Sequence, residues 1–344
     1  MIDIDKPVFI LGCPRSGTTV LFKLLAGQGD FAWVPTVLNN KPTKLLRSAS
    51  CRIFGLPKVG KRLYRRAIDR RRGWARLLAP VRPIEPWRFW NTYLKEFQWT
   101  RGGSEPPRLR TAEDMSNEAA ARIREAVRRI CAYQGKARFA SKYADFPRMA
   151  YLSRAFPQAR FVHIHRDGRA VVQSFLRRLE KGIFKTWEYR DWWCQAWPAE
   201  WQRDWREKHF SPLGFAAYYW KYFLATIRRE GGKLPASRYL EIAYGELTED
   251  PVAVMEKVFE FCGVSFSARA RWIIGHVRLP SMDYKWRRVF SQTETEELER
   301  IFSERSDQEV LGNRSGRAEP LPGEAHDPHS RLPCETPLPG NVCE

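Results

Sequence analysis

Acidic residues are what this sequence is short of: 39 Asp and Glu stand against 59 Lys and Arg in 344 residues, a formal net charge of +20. The shortage is concentrated, because Lys41 to Arg82 holds fourteen cations and a single acid, Asp69. A stretch so unbalanced must meet something anionic or stay well solvated. Long apolar runs are missing too. No segment approaches the roughly 20 apolar residues a spanning helix needs, and the first residues, with two acids, lack the apolar centre of a secretory leader. The expectation is a cytoplasmic protein. No C-x-x-C pair occurs among the seven cysteines, Cys13, Cys51, Cys131, Cys194, Cys262, Cys334 and Cys343. Their odd number and scatter exclude a disulfide framework and a zinc site, and leave reduced thiols. No internal repeat is visible.

What is present is enough apolar content, 43%, for one large α/β domain, expected over 1–311. Val8 to Gly12 is an all-apolar run suited to a strand buried on both faces, followed by a glycine-containing turn and a helix from about Thr18 to Gln28. Residues 40–103 are basic and rich in Pro and Trp, with a helical stretch around Lys58 to Leu78; they form an expected insertion near the acceptor side. Ser116 caps a helix that Gly135 stops. Strands are expected at Arg138 to Lys142, Ala159 to His165 and Ser237 to Tyr244. Helices are expected at Arg148 to Phe156, Arg169 to Leu179 and Phe215 to Glu230. Asp250-Pro251 and Gly263 bracket another, and Thr293 to Glu296 reads as a capping box for the last. The alternation implies a P-loop-type three-layer fold, a central parallel sheet flanked by helices. From Gly312 the tail holds six prolines and no aromatic residue, so 312–344 are expected to be disordered.

The first strand runs into Gly12-Cys-Pro-Arg-Ser-Gly-Thr-Thr19 and then a helix, the context of a phosphate-cradling loop. Amide groups at the helix start and the positive end of its dipole attract an anion, Gly17 permits close approach, and Thr18 and Thr19 add hydroxyl donors. A triphosphatase loop has Lys after its second Gly; here that position is Thr18, and the loop's cation is Arg15. A second strand-turn-helix, His165-Arg-Asp-Gly-Arg-Ala-Val-Val-Gln-Ser174, puts Arg166 at a strand end and Ser174 two helical turns on, where both could hold one phosphate.

These residues resemble the sulfotransferase superfamily, whose 5'-phosphosulfate loop has the form P-[KR]-[ST]-G-T-[TS]; Pro14 to Thr19 fits it without a gap. The closest likeness is to the Arg-loop branch, which includes the tyrosylprotein sulfotransferases and bacterial sulfotransferases. The resemblance implies a metal-free enzyme using 3'-phosphoadenosine-5'-phosphosulfate as co-substrate. Arg15, Ser16, Gly17, Thr18 and Thr19 would hold the phosphosulfate, and Arg166 and Ser174, matching R-D-G-R-x-x-x-x-S, the 3'-phosphate. Lys142 would contact the bridging oxygen. Tyr244, in a segment similar to R-Y-E-D-L-x-x-D-P but with Ala243 for the Arg, would lie near the nucleotide, and Lys285, in a late basic element, against it.

Sulfuryl transfer is an in-line displacement in which positioning and charge neutralisation carry most of the catalysis, tasks falling to Arg15 and Lys142. Relatives place a catalytic Glu about twenty residues after the loop Arg, where this chain has Pro35-Thr-Val37. Glu85, a lone acid amid aromatics, is the preferred substitute as base, and Asp145 the second candidate. His163 and His165 are assigned no catalytic role. Trp192, Trp193, Trp197, Trp201 and Trp205, with Trp87, Trp90 and Trp99, either pack a helix on the sheet or grip a sugar or lipid, so a small-molecule, sugar or glycolipid acceptor is expected. The basic segment Lys58 to Arg76 reads either as an interfacial helix on anionic lipid, making the protein peripheral on the inner membrane face, or as a solvated lid over the donor. The rival functions are a P-loop kinase, opposed by Thr18 in the lysine position, and a nucleic-acid-binding protein, opposed by the lack of any accompanying motif. Oligomeric state is left open.

Overall fold

The computed structural model describes residues 4, 6–69, 74–94, 107–144, 146–183 and 185–303. Five short segments form strands β1 (Val8–Leu11), β2 (Phe31–Ala32), β3 (Arg138–Tyr143), β4 (Arg160–His165) and β5 (Tyr239–Ala243). All pair in parallel, in the order β2-β3-β1-β4-β5. Parallel strands need apolar cover on both faces, and the period-two alternation of β1 divides it between two clusters. Val8 and Ile10 face α1 (Thr18–Gly27), α2 (Gly60–Ile68), and later helices at Pro251–Cys262 and Ala268–Gly275. Phe9 and Leu11 face α3 (Asn117–Gln134), α4 (Met149–Ala155), α5 (Gly168–Glu180), α6 (Ala199–Glu207) and α7 (Pro212–Gly232). With the two later helices labelled α8 and α9, and α10 (Gln292–Ser303) on the Phe9 side, the expected three-layer α/β fold is complete. Leu11 pairs with both Tyr143 and His163, so β3, β1 and β4 reach their carboxyl ends almost level.

Local signals set several boundaries. Ser116 Oγ accepts from Ala119 N at the start of α3, and Gly135 ends it at φ 66°. Asp250 accepts from Val252 and Ala253 N ahead of Pro251, and Gly263 ends α8, also at φ 66°. The last cap falls earlier than Thr293 to Glu296: Ser291 Oγ accepts from Glu294 N at 3.2 Å while Glu294 accepts from Ser291 N at 2.8 Å. Ser291-Gln-Thr-Glu294 has the same S/T-x-x-E form, and capping there lets the helix begin at Gln292.

The basic stretch does not form one helix from Lys58 to Leu78; α2 ends at Ile68 and a separate turn of helix spans Trp74–Leu77, with 70–73 outside the described residues. Nor does α2 present its apolar side outward. Tyr64, Ala67 and Ile68 are buried, and Tyr64 Oη donates to Lys23 O at 2.7 Å. The tryptophan series is core: Trp192, Trp193, Trp197, Trp201 and Trp205 are all buried. Trp197 packs on Trp205, Phe215 and Tyr218 at centroid distances of 5.7, 5.4 and 5.8 Å. Pro198 merely divides the series between Arg190–Cys194 and α6. Trp99 and the tail 312–344 lie outside the described residues. Cys13, Cys51, Cys131, Cys194 and Cys262 are free and buried. Among the described residues no helix is long and apolar enough to cross a membrane.

The two strand histidines belong to a polar cluster at the β4–β5 edge. His163 Nδ1 lies 2.8 Å from Tyr239 Oη and 3.1 Å from Glu241 Oε2, and Arg228 Nη2 donates to Glu241 Oε1 at 2.6 Å. Burial opposes ionisation of Glu241, yet hydrogen bonds from His163 and Arg228 outweigh it and hold the carboxyl well below the usual range. Burial likewise keeps His163 below its ordinary value.

Two outcomes are expected. Trp197→Ala should lower unfolding free energy by about 3–5 kcal/mol, the usual loss for a buried aromatic, measured by urea titration; a loss under about 1 kcal/mol would mean that the cluster is dispensable. A carboxyl with a depressed folded pKa stabilises fully above its unfolded value and loses that contribution as pH falls toward the folded one. Glu241→Gln should therefore be less stable than the parent at pH 7, with the gap narrowing below the ordinary carboxylate range. A gap constant with pH would show that the charge of Glu241 does not matter.

Candidate active site

The carboxyl ends of four adjacent strands, β3, β1, β4 and β5, deliver the side chains that the motifs single out. The loop after β1 turns through a Ser16 N–Cys13 O bond of 3.1 Å and holds Arg15 in the left-handed region at φ 78°, a conformation that costs a non-glycine residue about 1–3 kcal/mol. Gly17, at φ 100°, is the N-cap of α1 and offers it no side-chain acceptor, and the first turn of α1 has no acid. Neither a cap acceptor nor a first-turn acid therefore competes for its leading amide groups and dipole. A Cβ on Gly17 would come within 2.5 Å of the Tyr244 ring, so glycine is required there by both space and φ. Thr18 is buried and Thr19 half-buried at the helix start. Ser16 is wholly buried, and its Oγ has no hydrogen-bond partner. Cys13 is no candidate nucleophile, since burial pushes its thiol well up.

The second element meets the first directly. Arg166, at the end of β4, donates from Nη1 to Arg15 O at 3.2 Å. Arg15 Nε in turn donates to Ser174 Oγ, 2.9 Å away on α5. Ser174 thus reaches Arg15, and its own hydroxyl proton remains to be directed elsewhere. Tyr244, at the end of β5, lies under the Arg166 guanidinium at 4.6 Å. Burial raises its phenol above the ordinary value although Arg166 pulls the other way, so it stays neutral.

Arg166 has a further partner that sequence motifs do not reveal: Asp283 Oδ1 accepts from its Nε at 2.6 Å. Lys285 stands two residues on, in the short helix Lys285–Arg288. That helix packs on α5, with Arg169 over the Trp286 ring at 4.4 Å. The late basic element thus reaches the site, and Asp283, two residues before Lys285, makes its contact with Arg166.

Lys142, buried in β3 and in register with Ile10 of β1, points its ammonium at Glu85: Nζ to Oε2 is 2.8 Å. The other carboxylate oxygen, Oε1, accepts from Ala144 N. A bridge between Pro35 and Pro83 brings this segment to the sheet edge. Asp145 lies outside the described residues.

A cavity of about 600 Å³ flanks the first two turns of α1. Val20, Leu24, Ile68, Val277 and Leu279 give it apolar walls, Lys23, Arg65 and Arg278 basic ones, and Asp69 and His276 complete the lining. In the chain, Val20 directly follows the loop, and Val277 and Leu279 precede Asp283. Three parts of the site were not apparent from the sequence: Asp283, this cavity, and the Arg15–Ser174 bond.

The protein-family comparison matches the sulfotransferase family over residues 7–268. No curated protein matches the sequence. Among solved structures, the chain is similar to the sulfotransferase domain of the olefin synthase from Synechococcus PCC 7002, at 19% identity and TM-score 0.41, covering 88% of this chain and 96% of that one. It is also similar to sulfotransferase STF1 from Mycobacterium tuberculosis H37Rv, at 15% identity and TM-score 0.47, covering 88% and 77%. A third is retinol dehydratase in complex with androsterone and inactive cofactor PAP, at 14% identity and TM-score 0.37, covering 91% and 82%. The family match spans most of the described chain, from the strand that opens the Arg15 loop to the first residue of α9, and on it this protein belongs to the sulfotransferase family.

Proposed function

We propose that the protein transfers a sulfuryl group from 3'-phosphoadenosine-5'-phosphosulfate to a hydroxyl of a small-molecule, sugar or lipid acceptor. The observation that carries this reading is the joining of the two anion-binding elements by the Arg166–Arg15 O and Arg15–Ser174 bonds. A ligand with an anionic group at each end of one nucleoside suits such a pair. The residues present fit it: Ser16 Oγ lacks a partner inside the loop, the α1 amides are uncapped, and the cavity beside Val20 has the apolar walls and size for a purine nucleoside.

The phosphosulfate, when bound, supplies the sulfuryl group and a phosphate leaving group. The chain's own residues position and neutralise. Arg15, Thr18, Thr19 and the α1 amides hold the 5' end, and Arg166 and Ser174 the 3'-phosphate. Tyr244 buttresses both by filling the space beside Gly17. Lys142 has two ammonium protons beyond the one given to Glu85 and would offer them to the bridging oxygen as its bond to sulfur breaks. Glu85 keeps lone pairs free on both oxygens and would take the acceptor's proton as the new oxygen–sulfur bond forms. Because base and leaving-group donor are hydrogen-bonded, proton uptake at Glu85 frees Lys142 to concentrate its charge on the departing phosphate.

The protein should bind 3'-phosphoadenosine-5'-phosphate without Mg²⁺ and bind Mg-ATP weakly or not at all; the reverse preference by calorimetry would favour a kinase. Arg166→Ala should weaken that binding about ten- to a hundredfold, the loss of one charge-assisted bond. Glu85→Gln should lower kcat with labelled donor by about 10²–10⁴ while leaving donor affinity nearly unchanged. Full turnover in Glu85→Gln would transfer the base to Asp145.

A further inference from the structure

Among the described residues eight large hydrophobic side chains are strongly exposed, and four of them, Leu46 (66%), Leu56 (49%), Val59 (45%) and Leu77 (71%), fall in the basic stretch. Single exposed apolar residues are ordinary; this concentration is not, because the same elements have already buried their own core. Leu45, Cys51, Phe54, Tyr64, Ala67 and Ile68 turn inward. The exposed set is therefore additional to the core.

Leu56 and Val59 share one turn, in which Gly55, Leu56, Pro57, Lys58 and Val59 are consecutively exposed. The turn is well fixed. Gly60 N donates to Leu56 O at 2.9 Å and Val59 N to Pro57 O at 2.6 Å, with Lys58 held left-handed at φ 62°. Gly60 admits no Cβ, which would collide with Phe54 O. A rigid protrusion with Leu, Pro and Val at its tip and a lysine among them results. On the helix that follows directly, Arg62 and Arg66 are exposed, as are Arg47 and Arg76 elsewhere in the stretch, and Asp69 is the one acid between Lys41 and Arg82.

We propose that this turn docks the protein on an anionic lipid bilayer: Leu56 and Val59 enter the headgroup–acyl boundary while Lys58 and the neighbouring arginines hold lipid phosphates. The chemistry selects lipid over nucleic acid, because a phosphate backbone satisfies the cations and leaves the leucine and valine in water, whereas an anionic interface satisfies both. Lys58 can lay its aliphatic stem along the apolar layer with its ammonium at the phosphates. The turn and not α2 makes the contact, because α2 has its apolar side buried in the protein and cannot lie in the membrane by that face. The proposal is independent of the sulfuryl-transfer reading.

The test is co-sedimentation of the full chain with phosphatidylcholine vesicles, with and without about one-third phosphatidylglycerol, at physiological salt. Binding should require the anionic lipid and fall about tenfold or more in the Leu56→Asp/Val59→Asp variant, whose unfolding midpoint should equal the parent's because both positions are exposed. As a second measurement, emission from Leu56→Trp should shift to the blue, relative to the parent, on adding the anionic vesicles. Three results would overturn the proposal: no sedimentation with anionic vesicles, undiminished sedimentation of the double variant, or tighter binding to duplex DNA at the same salt that the double variant retains.

Discussion

The site depends on the guanidinium of Arg166. It is nearly buried, and a buried cation is tolerated only when its charge and donors are matched. Asp283 supplies the counter-charge at 2.6 Å, Arg15 O takes a second donor at 3.2 Å, and the Tyr244 ring lies beneath. Even its backbone is engaged, since Trp220 Nε1 donates to Arg166 O at 3.1 Å. Four distant parts of the chain are thereby held at one point: the loop after β1, the end of β4, the end of β5 and the segment before α10. Arrangement before binding is what makes such a site effective, because donors already aimed need no reorganisation when an anion arrives.

That arrangement explains how Arg15 sustains its strained φ. The residue is fixed from both sides: its carbonyl accepts from Arg166 and its own Nε donates to Ser174. With backbone and side chain both tethered, the left-handed turn fixes the direction of the amides that follow. Asp283 tempers the site in turn. Its negative charge stands beside the place proposed for the 3'-phosphate, so it lowers the net positive field there while preventing Arg166 from collapsing onto other acceptors. Arg15, by contrast, is exposed, and the 5' end of the donor is the group proposed to meet it.

What the sequence made legible was contiguous. Strand, loop and helix from Val8 to Gly27 lie within twenty residues, and the Arg166 to Ser174 element within nine, so residue type and spacing describe each fully. The caps at Ser116 and Asp250 are equally local. Contacts that join distant segments were not legible, because no local pattern encodes them: Asp283 meets Arg166 across 117 positions, and Val277 to Leu279 reach the first turns of α1 only through the packing of α9 on it. The tryptophan series was ambiguous for another reason. Spacing fixes which residues share a helix face but not whether that face meets protein or ligand, and Phe215 and Tyr218 of α7 settle it as protein. The basic stretch is ambiguous for the same reason, and α2 buries its apolar side against α1.

The place of Glu85, the base proposed above, follows from topology. The Arg-loop branch would place an acid near Pro35 to Val37, where this chain has none. Pro35 and Pro83 form an antiparallel bridge, so the segment carrying Glu85 runs beside the very stretch that lacks the acid, two residues past the contact. Glu85 then reaches Lys142, itself one residue short of the end of β3 and beside β1. A base supplied from the neighbouring segment, as proposed for Glu85, would need no change in the strands or in the phosphate loop; it would need only that the Arg82–Pro86 segment stay docked. Trp33 Nε1 donating to Val81 O at 3.2 Å and Phe89 N donating to Asn39 Oδ1 at 3.1 Å hold it on either side. On the proposed reading, the long basic region between α1 and α3 has a constraint of its own: its far end has to return to the sheet edge with Glu85 within hydrogen-bonding distance of Lys142.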